Sequence, residues 1–340
     1  MTKLNRRQAL AGLSAAAAMA GVGAPAYAST KINVGALRFT SHAASFVAFE
    51  RGYFKDAGLD VEFRFFEAAQ PMAIAIASGD ADYAVTSITG GLISLAEKGA
   101  AKVIGGALQE EKGVDGQMLL ASNAAYEAGL TTAAALKGRS FGMTTAGSSF
   151  HYMGDKIRSA EGIAEADLEF KPLQKIGAII GALKTGQIDA WAIVPHIAKP
   201  LIAGGGVKQI GMIADYLPEY QVTTVFTSAK NAADERAKTA AFLKAFAMGA
   251  ADFNAALIDR TAGEAAAEDM VKLVHKYVYA DQPYEKASVS IRNGAMRINA
   301  GAALNHASVQ DQLDWFKAKQ LVKDTVTFDV LVDASYVAKL

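Results

Sequence analysis

The sequence predicts an α/β fold of two similar lobes, each a doubly wound and mainly parallel sheet, with two hinge strands between them. Strand-like and helix-like patterns alternate from Lys31 onward, an order that favours parallel sheets covered by helices. Three motifs recur at one constant spacing along the chain. Two further β-rich segments, 116–122 and 221–228, stand where the chain would cross between the lobes.

The first lobe begins with a β-α-β-α-β order. Residues 32–37 alternate apolar and polar side chains, which indicates a half-buried strand. Residues 42–56 carry aromatic side chains at helical spacing, and Gly58 ends this helix. The later elements are strands at 61–65, 83–85 and 102–107 and helices at 71–78 and 91–97.

The second lobe repeats this order. Gly79-Asp80-Ala81-Asp82 resembles Gly186-Gln187-Ile188-Asp189, residues 61–63 resemble residues 168–170, and Gly35 matches Gly142. All three pairs share the spacing that separates Gly79 from Gly186, which we call the repeat offset. A constant offset through three elements indicates an internal duplication. Generic similarity between βα units is the alternative.

The two crossings divide the chain into a discontinuous first lobe and a continuous second one. We expect lobe one to contain residues 29–120 and 225–340, and lobe two residues 121–224. Residues 116–122 are predicted as a strand that ends lobe one. The helical segments 232–256, 264–277 and 309–319 are expected to form a tail that packs back on lobe one.

Residues 1–28 are typical of an export signal. Lys3, Arg6 and Arg7 form a positive start, a mildly apolar run follows, and Ala26-Tyr27-Ala28 fits a cleavage site. The paired arginines favour the twin-arginine route, with the general route and an uncleaved anchor as alternatives. We therefore expect a periplasmic protein, cleaved after Ala28.

Composition and motifs exclude several classes of function. Basic and acidic residues balance at 34 each, which argues against a nucleic-acid partner. There are no cysteines, so thiolate nucleophiles and Cys-ligated metals are excluded. The five histidines lack metal-ligand spacing, and no nucleophile elbow or phosphate loop occurs. The sequence thus predicts no metal, no cofactor and no enzyme.

The repeat offset also pairs two loops, 38–45 and 145–152, that each follow a first strand. Open α/β sheets bind ligands at the carboxyl ends of such strands. In the second loop Ser148 and Ser149 start a helix, where hydroxyls and free amides suit an anion, and Thr145 and Phe150 flank them. A plain helix cap is the alternative.

The first loop offers Arg38, Phe39 and His42 as ligand-binding candidates. The Arg38 guanidinium suits a carboxylate or sulfonate. A solvated arginine and a His42 helix cap are the alternatives.

Four more candidates lie at the ends of later strands. Gln70 stands at the second βα turn, Thr86 and Ser87 follow the third strand, and His196 lies in the corresponding segment of lobe two. Simple turn chemistry is the alternative for Thr86 and Ser87.

With these motifs the chain resembles the periplasmic solute-binding proteins of ABC importers, in the group that binds alkanesulfonates, taurine, nitrate and thiamine-pyrimidine precursors. The resemblance covers about residues 31–228 and is carried by Ala48-Phe49-Glu50-Arg51-Gly52-Tyr53-Phe54, Gly58-Leu59-Asp60-Val61-Glu62, Ser78-Gly79-Asp80-Ala81-Asp82-Tyr83, Leu136-Lys137-Gly138-Arg139, Gly147-Ser148-Ser149, His151-Tyr152 and Gly186-Gln187-Ile188-Asp189-Ala190-Trp191. It implies a type II binding-protein fold and ligand contacts at Gln70, Thr86-Ser87 and Ser148-Ser149. Val194-Pro195-His196 departs from the more aromatic, acidic run of many relatives.

The resemblance implies the substrate-binding component of an ABC uptake transporter. We expect a monomer that captures a small organic anion, an aromatic carboxylate or a sulfonate, by hinge closure and delivers it to an inner-membrane permease. A pyrimidine-precursor synthase-like enzyme on the same fold and a ligand-presenting sensor are the alternatives.

Overall fold

Ten strands form two five-stranded sheets in the computed structural model, which describes residues 29–340. The predicted export signal, residues 1–28, lies outside the described residues. The first sheet contains β1 (Thr30–Ala36), β2 (Leu59–Phe65), β3 (Tyr83–Thr86), β4 (Ala101–Gly106) and β10 (Thr224–Ser228). The second sheet contains β5 (Met118–Ser122), β6 (Arg139–Met143), β7 (Leu168–Pro172), β8 (Ala190–Ile193) and β9 (Val207–Met212).

The two sheets have the same topology. Their strand orders are β2-β1-β3-β10-β4 and β7-β6-β8-β5-β9. In each sheet four strands run parallel, and the fifth, β10 or β5, is antiparallel to both of its neighbours. The predicted α/β fold with two mainly parallel sheets is confirmed.

The duplication extends to strand register. Val34 pairs with Tyr83 in the first sheet, and Phe141 pairs with Ala190 in the second; the repeat offset relates the two pairs.

The repeated Gly-x-x-Asp motif has a structural cause. Gly79 and Gly186 adopt left-handed backbone angles after their helices, which glycine allows at little cost.

The aspartates of this motif join the first and third strands of each lobe. Asp82 Oδ2 accepts the backbone N–H of Asn33 at 2.8 Å, and Asp189 Oδ2 accepts that of Ser140 at 2.7 Å. Asp189 also accepts the Ser140 hydroxyl. These carboxylates therefore stabilise the sheets.

Two crossing segments, residues 107–117 and 213–223, connect the lobes and pair with each other. Ala107 N–H donates to Thr223 O, and Glu110 N–H donates to Tyr220 O. The strand at 118–122, predicted to end lobe one, instead pairs with β8 and β9 of the second sheet. The crossing thus precedes the predicted boundary at residue 120, because this apolar strand completes the sheet of lobe two.

Helices connect the strands and cover the sheets. The loops before them end in caps such as Thr89 and Ser148, whose hydroxyl oxygens accept backbone N–H groups. The helices are α1 (Ala43–Glu50), α2 (Tyr53–Asp56), α3 (Ala69–Ser78), α4 (Gly90–Glu97), α5 (Asn123–Glu127), α6 (Ser149–Ala160), α7 (Ile176–Lys184), α8 (Pro195–Ala203), α9 (Ala229–Asp234), α10 (Arg236–Phe253), α11 (Glu264–His275), α12 (Tyr284–Arg292), α13 (His306–Ala318) and α14 (Phe328–Leu331).

The longest helix, α10, lies in the core of lobe one. Its Phe242 stacks on Tyr83 of β3 and on Phe54 of α2, with ring centres 4.1 and 5.1 Å apart. With the π-turn that follows it, the segment Arg236–Ile258 is long and apolar enough to cross a membrane, but 56% of its most apolar window is buried in the fold. Such burial is typical of a core helix.

Helix α13 packs across both lobes, although the sequence predicted a tail on lobe one alone. Its Trp315 Nε1 donates to Asp155 Oδ2 of α6 at 2.8 Å, and Lys319 Nζ lies 3.0 Å from Oδ1 of the same carboxylate. Phe316 of this helix lies beside Gly90 of lobe one. Helix α13 reaches lobe two because the buried Asp155 carboxylate requires several hydrogen-bond donors, and Trp315 and Lys319 supply two of them.

Candidate functional site

A cavity lies between the two lobes, at the carboxyl ends of the parallel strands. It has about 550 Å³ of empty space, part of which opens to solvent. Both lobes and both crossing segments line it, through Leu37, Phe39, Ser41, His42, Ala68, Ala69, Thr86, Ser87, Leu108, Gln117, Thr144, Ser148, Ser149, Phe150, Ile176, Ile193, Val194, Val222 and Thr223.

The duplication supplies most of this lining. The repeat offset relates six pairs of lining residues: Leu37 and Thr144, Ser41 and Ser148, His42 and Ser149, Ala69 and Ile176, Thr86 and Ile193, and Ser87 and Val194. Where lobe one contributes the hydroxyls of Thr86 and Ser87, lobe two contributes the apolar Ile193 and Val194. The two lobes therefore contribute equivalent chain positions to the cavity, but the side chains at these positions differ in polarity.

The lining contains no Asp, Glu, Lys or Arg among the residues that the structure describes. His42 is the one imidazole in this lining, and burial lowers its pKa to about 3, so the ring is neutral at physiological pH. Its Nδ1 accepts the backbone N–H of Leu37 at 3.3 Å. The remaining ring nitrogen, Nε2, must carry the proton and is a hydrogen-bond donor.

The start of α6 supplies further neutral donors. Ser148 Oγ caps the helix by accepting the N–H of His151 at 3.4 Å, and Ser149 and Phe150 follow at the first helical positions. Backbone N–H groups at such positions lack intrahelical acceptors. Phe150 packs its ring against Trp191, with centroids 5.4 Å apart, and is part of the apolar wall.

Seven of the eleven predicted ligand-binding residues line this cavity. They are Phe39, His42, Thr86, Ser87, Ser148, Ser149 and Phe150. The other four, Arg38, Gln70, Thr145 and His196, lie outside it.

Arg38 lies at the mouth of the cleft. Its side chain is exposed, stacks 3.7 Å above the ring of Phe65 and donates to Tyr277 O. It lines an outer cavity together with Glu67 and Lys175. The guanidinium therefore lies outside the inner cavity.

Gln70 and Thr145 serve the local structure. Gln70 Oε1 accepts the Thr89 hydroxyl at 3.0 Å, which joins α3 to the cap of α4. Thr145 O accepts the Ser148 N–H, and its neighbour Thr144 takes the place in the cavity wall.

His196 lies at the interface between the lobes. Its Nδ1 is 2.9 Å from the Thr40 hydroxyl of lobe one, and its backbone oxygen accepts the Tyr279 hydroxyl at 2.9 Å. Burial lowers its pKa to about 3. A separate contact between the lobes is the backbone hydrogen bond from Gly90 N–H to Gly147 O. The two lobes therefore touch each other directly at these contacts.

Several lining residues were missed by the sequence analysis. Ser41, Ile193 and Val194 are the counterparts of predicted positions at the repeat offset, so the repeat contained the signal that could have found them. Gln117 and Thr223 belong to the crossing segments, which lie outside the repeated elements, and no motif marked them.

Comparison with known proteins identifies the family of the chain. Residues 39–256 match the family model described as NMT1/THI5 like. No curated protein sequence is significantly similar to the chain.

Solved structures share the fold at low sequence identity. The alkanesulfonate-binding protein SsuA from Xanthomonas axonopodis pv. citri, bound to MOPS, has a TM-score of 0.69 and 16% identity, covering 90% of this chain and 98% of that one. The nitrate-binding protein NrtA from Synechocystis PCC 6803 has a TM-score of 0.69 and 14% identity, covering 89% and 84%. The desulfurization enzyme DSZB has a TM-score of 0.58 and 13% identity, covering 90% and 97%.

Proposed function

The chain belongs to the NMT1/THI5-like family, and on that basis we propose that it is the substrate-binding component of an ABC uptake transporter. The observation that carries the proposal is the cavity enclosed by two lobes and lined by both crossing segments. A ligand that touches both lobes has a higher affinity for the closed arrangement and shifts the population toward it. In the closed arrangement the surfaces of both lobes together form the face that docks on a membrane permease.

The ligand is a small organic molecule with an apolar body and a hydrogen-bonding head. Phe39, Phe150 and Ile193 offer apolar contact, whereas Ser148, Ser149 and the other hydroxyls offer donors. A carboxylate or sulfonate head, the class expected from the sequence, is held here by neutral donors and helix amides. Arg38 at the mouth attracts such an anion before it enters.

The compartment and the partners follow from the same proposal. The protein is exported to the periplasm, its signal is cleaved after Ala28, and it acts as a monomer with an inner-membrane permease. Edman sequencing of the protein recovered from the periplasm should start at Ser29.

A thermal-shift panel on the chain from Ser29 tests the proposal. The protein is first unfolded and refolded to remove carried ligand. The panel holds benzoate, benzenesulfonate, aliphatic sulfonates, nitrate, pyrimidines and the neutral benzamide. A ligand at 100 times its Kd adds about 2.7 kcal/mol of stability, a rise of a few degrees. A shift confined to one class names the substrate class, whereas no shift from any compound contradicts this ligand assignment.

A variant pair separates cleft binding from surface effects. Ser148→Ala with Ser149→Ala removes two hydroxyls from the cavity wall, whereas Ser159→Ala removes an exposed hydroxyl near the far end of the same helix. We expect the first variant to lose the ligand-induced rise in unfolding temperature and the second variant to keep it.

A further inference from the structure

His196, at the start of α8 in lobe two, is enclosed by groups of lobe one. Its Nδ1 lies 2.9 Å from the Thr40 hydroxyl, and its backbone oxygen accepts the Tyr279 hydroxyl at 2.9 Å. The ring of Phe39 packs edge-on against the imidazole, with ring centres 5.1 Å apart. Gly294 lies so close to the His196 backbone that a Cβ would not fit. We call these five residues the His196 contact, in which His196 is only 1% exposed.

The hydrogen bonds of the His196 contact determine which ring nitrogen carries the proton. The Thr40 hydroxyl donates to Gly294 O at 3.1 Å, and a hydroxyl has only one proton to donate. His196 Nδ1 must therefore donate its own proton to Thr40 Oγ1. The opposite nitrogen, Nε2, is then unprotonated, and within residues 29–340 this buried atom has no hydrogen-bond partner. A second proton on the ring would thus create a buried, positively charged N–H group without an acceptor, which is costly.

The groups that face this ring do not compensate a positive charge. His42 of lobe one lies beyond Phe39, whose ring it meets edge-on with ring centres 6.3 Å apart. Burial, followed by the positive charge that His42 would carry, lowers the pKa of His196 to about 3. Among the described residues no carboxylate opposes this shift. Tyr279 stays neutral, because burial raises the pKa of its hydroxyl.

The charged side chains of the neighbouring elements have other partners or lie in solvent. Lys199 of α8 pairs with Asp115. Arg292 of α12 pairs with Glu264 and Glu268. The remaining charged side chains on the elements beside the contact are exposed, namely Arg38, Lys208, Lys276, Asp281, Glu285 and Lys286. The His196 contact therefore accommodates the neutral imidazole and disfavours the protonated one.

We propose that the His196 contact holds the two lobes together only while its imidazole is neutral, so that acid separates the lobes and releases the ligand. The release of ligand rests on the proposed function, whereas the separation of the lobes does not. Once the lobes part, the ring is hydrated and takes a proton near the ordinary histidine value of about pH 6.5. A proton therefore binds the separated lobes more tightly than the joined lobes, and by linkage it favours separation.

The direction and size of the pH dependence follow from this difference. The pKa of His196 is about 3 in the contact and about 6.5 in separated lobes, so the contact is fully stable above about pH 6.5. The contact weakens as pH falls from there toward 3. The ratio of separated to joined lobes should rise about tenfold for each pH unit in this range.

A histidine-selective NMR titration of the wild type from Ser29 tests the contact directly. The chain has five histidines, and sequence-specific assignment identifies the His196 ring without a variant that must fold. This ring should gain its proton at least one pH unit below the ordinary value of about 6.5. The titration is made on ligand-free protein and repeated with the strongest binder among benzoate, benzenesulfonate, nitrate, pyrimidine and benzamide. A pKa near the ordinary value in both states would overturn the proposal.

Small-angle scattering then measures whether this proton separates the lobes. In the state with the lowered pKa, the radius of gyration of the wild type should increase as pH falls through that pKa. His196→Asn should stay compact, because the asparagine amide can donate to Thr40 Oγ1 in place of Nδ1 and takes no proton. A constant radius of gyration in the wild type would show a buried histidine without control over the lobes and overturn the proposal.

Ligand affinity supplies the third readout, with a matched control. The Kd of the strongest binder is measured from pH 8 to pH 4 in the wild type and in His196→Asn, so that titration of the ligand itself cancels. Relative to the variant, the wild-type Kd should rise about tenfold for each pH unit below about pH 6. His306→Asn, which changes a histidine of α13 outside the contact, should follow the wild type. Parallel profiles of the wild type and His196→Asn would overturn the release of ligand by acid.

Failure of this inference is distinguishable from failure of the proposed function. If no compound of the panel binds the wild type, the ligand assignment fails. The ligand-free titration and scattering then decide the role of His196 alone. A lowered pKa with acid-dependent separation supports that role, and a pKa near the ordinary value overturns it.

Discussion

Gly294 offers a way to hold the cleft open without disturbing either lobe. It lies just after α12 of lobe one, and a Cβ on it would fall 2.2 Å from His196 Cα at the start of α8 in lobe two. The backbone of Gly294 does not require a left-handed angle, so alanine is tolerated locally. Gly294→Ala therefore places one methyl group against the backbone of the opposite lobe.

The magnitude follows from the contacts that this methyl displaces. The backbones must separate by roughly 1 Å to reach van der Waals contact. The hydrogen bonds that join His196 to Thr40 and to Tyr279, both 2.9 Å long, then exceed bonding distance. At about 1 kcal/mol each, their loss weakens closure by about 2 kcal/mol and ligand affinity by about 30-fold.

Calorimetry and small-angle scattering together measure this effect. Gly294→Ala should bind the strongest panel ligand more weakly and keep a larger radius of gyration when saturated. Gly181→Ala is the control, because a Cβ there meets no atom within 4 Å. Wild-type affinity and full closure in Gly294→Ala would refute the view that this interface forms when ligand binds.

Three other changes have distinct expected outcomes. Replacing Ser148 and Ser149 with alanine should weaken binding of an anionic ligand by at least ~1–2 kcal/mol in calorimetry, because donors to its head are lost. Arg38→Ala should slow association of anionic ligands in stopped-flow measurements more than that of neutral analogues, because the guanidinium lies at the mouth. Asp155→Asn should cost about 3 kcal/mol in chemical denaturation at pH 7, because Lys319 and Arg158 lose a buried partner.

The controls for these changes come from the same elements. Ser159→Ala should leave affinity unchanged, and equal losses in both serine variants would contradict a role for the α6 start. High salt should abolish the Arg38 effect, whereas a salt-independent loss would point to a packing role. Although burial opposes it, hydrogen bonds from Trp315, Lys319 and Arg158 lower the pKa of Asp155. Wild-type stability should therefore fall in acid as this carboxyl group gains a proton, and Asp155→Asn should lack that component.

The repeated βα units were predicted well from the sequence, because the patterns that specify them lie within short stretches of the chain. Strand periodicity and the Gly-x-x-Asp motif depend on residues within one βα unit, and the constant repeat offset related the two copies. The prediction of two mainly parallel sheets was confirmed on that basis. The antiparallel β5 was assigned to the wrong sheet because an apolar strand next to a crossing fits either lobe equally well by pattern.

The cavity was predicted less completely because its chemistry depends on contacts distant in sequence. Arg38 was expected inside, but the ring of Phe65 and the Tyr277 carbonyl hold it at the mouth. Gln70 was expected to face a ligand, but Thr89 of another loop bonds its side chain. No sequence pattern marks Gln117 as a lining residue, because its position in the cavity wall arises where two segments that lie far apart in sequence meet.

The position of β10 has a consequence for the order of folding during synthesis. This strand lies between β3 and β4, and β4 pairs with no other strand of its sheet. The first sheet therefore cannot be completed until residue 228 has left the ribosome, whereas all five strands of the second lie between residues 118 and 212. The inserted lobe can thus reach its native structure first, while the N-terminal strands wait for a partner that is made only after that whole lobe.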